Sequence, residues 1–221
     1  MGKGKRRTLT EIQYYPRPYE IYKDLMMSPG WKYKTKPEEF LRRDRALAAI
    51  LYVGELRVSE AIRLKKNQFE NREDHIFVKA IRLSKRKPGK VAYREARLPL
   101  TGERAKFTEL ILDYLNTLDD DQRLFPWSLK ERVYVLKRKY TTKDGQVKNY
   151  RSVQLVGTKR AWQIVNALLP NWTQHWLRAF GEDFLYDKFD HDILAVADEV
   201  KVDARTLQLY LRKRHEKYKP A

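Results

Sequence analysis

The stretch HWLRAFGEDFL, from His175 to Leu185, sets a histidine and an arginine three positions apart, ahead of an apolar face of Leu177, Phe180, Phe184 and Leu185. Residues at i and i+3 are neighbours on a helix surface, so His175 and Arg178 can address one ligand. A permanently charged guanidinium beside an imidazole that titrates near neutrality suits an anion involved in proton exchange. Three further segments hold residues of comparable chemistry: LRVSEAIRL with Arg57, RLSKRKPGK with its lysines, and ARTLQLYLR with Tyr210. Singly, each has an ordinary reading. Arg57 reads as a solvated or carboxylate-paired arginine, and the lysines as a charged strand edge that discourages pairing between sheets. His175 reads as a satisfied core histidine, and Tyr210, beside Leu207 and Leu211, as a core aromatic.

The elements that must position these residues follow from apolar periodicity. KPEEFLRRDRALAAILYVGEL opens with Pro and two Glu and spaces Leu41, Leu47, Ile50 and Leu51 as a helix does. After Gly54, RVSEAIRLKKNQF predicts a second helix with Val58, Ala61, Ile62 and Leu64 inward. HIFVKAIRLSKRKPGKVAYREARLPL alternates β-branched or aromatic residues with basic ones around Lys-Pro-Gly-Lys, the pattern of a hairpin with a basic tip. GERAKFTELILDYLNTL is helical and DDDQRLFPWS a loop. ERVYVLKRKYTTKDGQVKNYRSVQLV carries an Asp-Gly turn between alternating arms, a second hairpin. TKRAWQIVNALL, HWLRAFGEDFL, HDILAVADEV and DARTLQLYLRKRHEKY complete the helices, the last with Asp203 as N-cap. The expected fold class is therefore α+β, mainly helical, with small antiparallel hairpins. Residues 1–38, rich in Lys, Arg, Tyr and Pro, are expected to form a basic arm with one short helix, and 39–221 a single domain.

Composition narrows the partner. Lys and Arg number 47 against 29 Asp and Glu, a formal charge of +18 on 221 residues that are 42% hydrophobic and 12% aromatic. A folded chain with such a field favours a polyanion, and nucleic acid is the leading choice. No cysteine is present, which excludes disulfides and thiolate metal sites. The four histidines do not pair at ligand spacing on one helix. Neither a Gly-rich phosphate loop nor a paired-carboxylate metal site is evident, so no cofactor is expected. No apolar run approaches the roughly 18 residues needed to span a bilayer, and no signal-peptide block opens the chain, so a cytoplasmic, nucleoid-associated protein is expected.

Taken together, the order Arg57, hairpin lysine, His175-x-x-Arg178, Tyr210 resembles the catalytic set of the tyrosine recombinases, the phage-integrase family of DNA strand-exchange enzymes. The resemblance spans residues about 40 to 215. RDRALAAILYVGELRVSEAIRL is similar to the family's first arginine block, with Arg57 as the first clamp and Glu60 as its support. RLSKRKPGK and REARLPL are similar to the catalytic hairpin, HWLRAFGEDFL to the second box, and TLQLYLR to the nucleophile helix. The resemblance implies a site-specific recombinase or integrase, of an archaeal, viral or plasmid kind, that cleaves and rejoins double-stranded DNA without metal or ATP. It implies that Arg57 and Arg178 neutralise the pentavalent phosphorane through bidentate contacts. Tyr210 becomes the nucleophile of a 3′-phosphotyrosyl intermediate, and His175 exchanges a proton or bonds the phosphate. Lys85 is the preferred proton donor to the departing 5′ oxygen, with Lys87, Lys90 and Lys79 as alternatives.

The departures from the family pattern are informative. Nine residues before Tyr210, where the family usually has histidine or tryptophan, stands Lys201, which is expected to donate to a phosphate oxygen. The separate core-binding domain usual in the family has only the basic arm in its place, and eleven residues follow Tyr210. The expected assembly is a homotetramer on paired DNA sites and a monomer or dimer in solution, with no membrane partner. Two other readings share the same residues: a type IB topoisomerase that relaxes DNA, and a DNA-binding module that has lost catalysis.

Overall fold

The computed structural model describes residues 16–34, 37–83, 92–126, 135–141, 145–153, 155–170, 172–200 and 202–215. Helix α1 (Pro18–Met27) begins with proline at a position that needs no amide donor, and Glu20 turns back to accept the Arg17 N–H at 2.8 Å. Its Ile21 and Leu25, one turn apart, are fully buried in the main core. α2 (Pro37–Val53) is the axis of the molecule. Every residue from Ala46 to Val53 is buried, which a helix tolerates only when neighbours cover all its faces. Those neighbours include α4 (Ala105–Leu115), α5 (Thr158–Leu168) and α6 (Gln174–Lys188).

The predicted second helix is reduced to one turn, α3 (Val58–Ala61). Leu64 is buried as expected, but its carbonyl accepts the Leu124 N–H at 3.0 Å and the Lys66 N–H donates to Gln122 O at 3.0 Å. Pairing with the 120–124 segment thus takes the backbone groups that a longer helix would need. A 3₁₀ turn, Lys66–Gln68, follows, then a strand that the helical reading missed, β1 (Phe69–Asn71). It pairs antiparallel with β2 (His75–Arg82), which pairs antiparallel with β3 (Tyr93–Pro99), the sheet order being β1-β2-β3. The first predicted hairpin is therefore present as β2–β3, while its tip, residues 84–91, lies outside the described residues. On β3 the alternation buries Arg94, Ala96 and Leu98 on one face.

The second predicted hairpin is β4 (Val135–Thr141) with β5 (Val147–Val153), paired in register from Val135↔Val153 to Thr141↔Val147. Gly145 has φ +79°, the left-handed geometry that favours glycine at a turn. α7 (Ile193–Glu199) and α8 (Ala204–His215) close the chain. Asp203 caps α8 as expected, its carboxylate accepting the Thr206 N–H at 3.1 Å. Leu185, Val196, Ala197, Val200, Leu207 and Leu211 form a second, smaller core that docks α8 onto α7 and the end of α6. The result is a mainly helical α+β fold with a small antiparallel sheet, and no described helix is long and apolar enough to cross a membrane.

Candidate active site

Arg57 stands immediately before α3, where the chain leaves α2 through a sharp turn at Glu55, a residue with φ +45°. Glu60, three residues on, accepts the Arg57 backbone N–H at 3.0 Å on Oε2 and Arg57 Nη1 at 3.2 Å on Oε1. The Glu60 side chain is completely buried, whereas that of Arg57 keeps 28% of its surface exposed. The carboxylate is therefore an internal anchor, and the guanidinium is left able to reach a ligand. Among the described residues, Arg57 Nη2 donates no hydrogen bond.

Arg178 is held in the same way on α6. Its Nε donates to Glu182 Oε1 at 2.9 Å across one helical turn, and its side chain is 11% exposed. Engaging Nε from the side leaves the two Nη groups, which bond no other described residue, as the end of the side chain that can meet an anion in bidentate fashion. His175 is exposed on the first turn of α6, so the core-histidine reading does not hold.

A third arginine shares the Glu60 anchor. Arg94, whose side chain is only 4% exposed, donates to Glu60 Oε2 at 3.2 Å, to Glu55 O at 3.0 Å and to Val200 O at 2.8 Å. Burial lowers the basicity of its guanidinium, Glu60 restores part of it, and the charge of nearby Arg178 lowers it again. Arg94 is thus bonded directly to the Arg57–Glu60 pair and feels the charge of Arg178. Glu55 in turn accepts from Arg104 Nη1 at 2.5 Å. Burial drives the Glu55 carboxyl up to about 7, Arg104 opposes this, and Glu182 adds to it.

Close approach of α6 to α2 makes the cluster possible. A Cβ on Gly181 would lie 2.2 Å from Tyr52 O and 3.1 Å from Glu55 Oε1, so only glycine allows this contact. Arg104 then lies over the rings of Phe184, at 5.1 Å, and Tyr52, at 5.8 Å. The positioning residues Glu55, Arg94, Arg104 and Glu182 were not singled out from the sequence. One signal was available for Arg94: the alternation of YREARLPL puts it on the face of Ala96 and Leu98, where an arginine must be paired.

The remaining expected residues fall as follows. Tyr210 is on α8, one turn from buried Leu207 and adjacent to buried Leu211. Lys201 lies outside the described residues, but Val200 immediately before it is the carbonyl held by Arg94. Lys85, Lys87 and Lys90 also lie outside them, whereas Lys79 is on β2 and forms an ion pair with Glu70. His191 is exposed beyond the end of α6, 3.3 Å from Asp187.

No family model matches the sequence, and no curated protein matches it. Solved structures do. The XerH site-specific recombinase bound to palindromic difH substrate, a post-cleavage complex, matches over 93% of this chain and 51% of its own, with TM-score 0.54 and 17% identity. The same recombinase bound to difH substrate in a pre-cleavage complex matches over 91% of this chain and 51% of its own, with TM-score 0.52 and 18% identity. The chain thus has the fold of a tyrosine recombinase catalytic domain, and it spans about half the length of the recombinase chains it matches.

Proposed function

We propose that this chain is the catalytic part of a site-specific DNA recombinase or integrase that cleaves and rejoins DNA through a 3′-phosphotyrosyl intermediate. One observation carries the reading. Two arginines from separate elements, Arg57 before α3 and Arg178 on α6, are each clamped by a buried carboxylate that leaves part of the guanidinium for an anion. Fixed cations of this kind stabilise the charge that develops on a phosphorane far better than mobile ones, because no reorganisation is needed during reaction.

In this reaction the Tyr210 phenol oxygen bonds to phosphorus as the bond from phosphorus to the 5′ oxygen breaks. The phenol proton passes to His175. The 5′ oxygen takes a proton from Lys85, and Lys201 donates to a non-bridging oxygen. Rejoining reverses each step, and the phosphodiester energy is kept in the tyrosyl ester. A charge of +18 supports binding to duplex DNA, and recombination would proceed in a homotetramer on paired sites.

The reading is tested by selecting bound duplexes from a random DNA pool, nicking them near the bound site, and seeking a covalent adduct on a denaturing gel. The wild type is expected to yield an adduct on the 3′ phosphate side, and Tyr210→Phe none, with DNA affinity retained. An adduct that persists in Tyr210→Phe, or that maps to another tyrosine, would overturn the assignment.

A further inference from the structure

We infer that Arg94 is a positioning residue that ties the first arginine to the helix carrying the nucleophile, so that both are set by one rigid guanidinium. The inference rests on the reading of Arg57 and Tyr210 just given. Its three acceptors belong to three different segments: Glu55 O in the turn after α2, Glu60 Oε2 in α3, and Val200 O at the end of α7. These lie 39, 34 and 106 residues from Arg94 along the chain. Arg94 itself is rooted in β3, where it pairs with Ile81 of β2.

Each contact has a separate consequence. The bond to Glu60 holds the carboxylate that orients Arg57 by two further hydrogen bonds. The bond to Val200 fixes the residue before Lys201, ten positions ahead of Tyr210, where the chain passes from α7 into α8. The bond to Glu55 O fixes the left-handed turn from which Arg57 departs. With its side chain 4% exposed, Arg94 has no access to DNA, so it acts through these groups and not on the phosphate. Arginine is required by geometry, since its planar fork can serve three acceptors at fixed angles while a lysine ammonium is a point charge on a flexible stem. A misplacement of about 1 Å in a reacting group costs on the order of 100-fold in rate.

The test uses the full chain with Arg94→Lys and Arg94→Met, on the DNA sites selected above. Melting temperature, DNA affinity, single-turnover cleavage at saturating protein, and amide exchange at Val200 and Val202 are measured. Arg94→Lys is expected to cleave about 10- to 100-fold more slowly. Its DNA affinity should stay within about threefold, because the residue meets no phosphate. Amide exchange should quicken at Val200 and Val202, while the α2 amides keep their protection. Wild-type cleavage by Arg94→Lys, or a loss no greater than the loss in affinity or folded fraction, overturns the inference. If Arg94→Met does not fold, Arg94→Lys alone carries the test. If the wild type forms no adduct, the functional reading fails. The exchange data then still decide the positioning role: faster exchange confined to the α7–α8 junction supports it, and unchanged exchange there refutes it.

Discussion

Replacing Glu60 with glutamine changes one atom's chemistry and little of the shape, and it should weaken both stability and catalysis. The buried carboxylate accepts three hydrogen bonds, two from Arg57 and one from Arg94. Glutamine offers one oxygen and turns an NH₂ group toward donors, so at least one bond is lost and two cations face no counter-charge. Breaking a buried ion pair from one side costs about 3–5 kcal/mol. The lower figure applies here, because Arg57 is 28% exposed and can recover water. For a chain of this size each kcal/mol lowers the melting temperature by about 2–4 °C, which gives a drop of roughly 6–12 °C. Native stability of about 5–15 kcal/mol leaves the variant folded at 25 °C. Cleavage should fall about 100-fold as Arg57 loses its fixed orientation. Thermal melts followed by circular dichroism, with single-turnover cleavage at 25 °C, read both effects. A variant that melts within about 2 °C of the wild type and cleaves normally would refute the argument that Glu60 anchors the site.

Three other perturbations bear on the same cluster. Arg178→Lys should lose about 100- to 1000-fold in cleavage with little change in DNA affinity, since the fork and the Glu182 contact both go; near-normal cleavage would contradict the bidentate geometry. Gly181→Ala should force α6 off α2, because its methyl would meet a backbone oxygen at 2.2 Å, and a fall of about 1–3 kcal/mol in denaturant stability is expected. Glu55, whose carboxyl is raised by burial to about 7 from 4.5, favours its protonated form in the folded state. The stability this gives is fully present below about pH 4.5 and is lost as pH rises through 7, a change of up to about 3 kcal/mol. Denaturant titrations from pH 5 to 8 should therefore show a decline in the wild type that Glu55→Gln lacks, and parallel curves would count against it.

The elements were legible where their signals are local. Helical spacing marks α2, α4, α5 and α6, the Asp-Gly pair marks the turn between β4 and β5, and Asp203 marks the start of α8. Arg57, His175 and Arg178 stand out in the sequence because residue type and spacing repeat a known chemical pattern, and in the structure Arg57 and Arg178 are each paired with a glutamate on their own helix. The length of α3 and the existence of β1 were not, because partners near residues 120–124 and on β2 decided them. Nor was the network beneath the site. Glu55, Arg104 and Glu182 read in one dimension as ordinary surface charges, only the β3 alternation marks Arg94 as inward, and their partners lie 34 to 106 residues away except for the helical Arg178–Glu182 pair. What turns them into buried anchors is the approach of α6 to α2 at Gly181 and the inward face of β3. Sequence spacing can say which residues carry the chemistry, but burial of a charge depends on which segments exclude water from it, and that is a property of the packed chain alone.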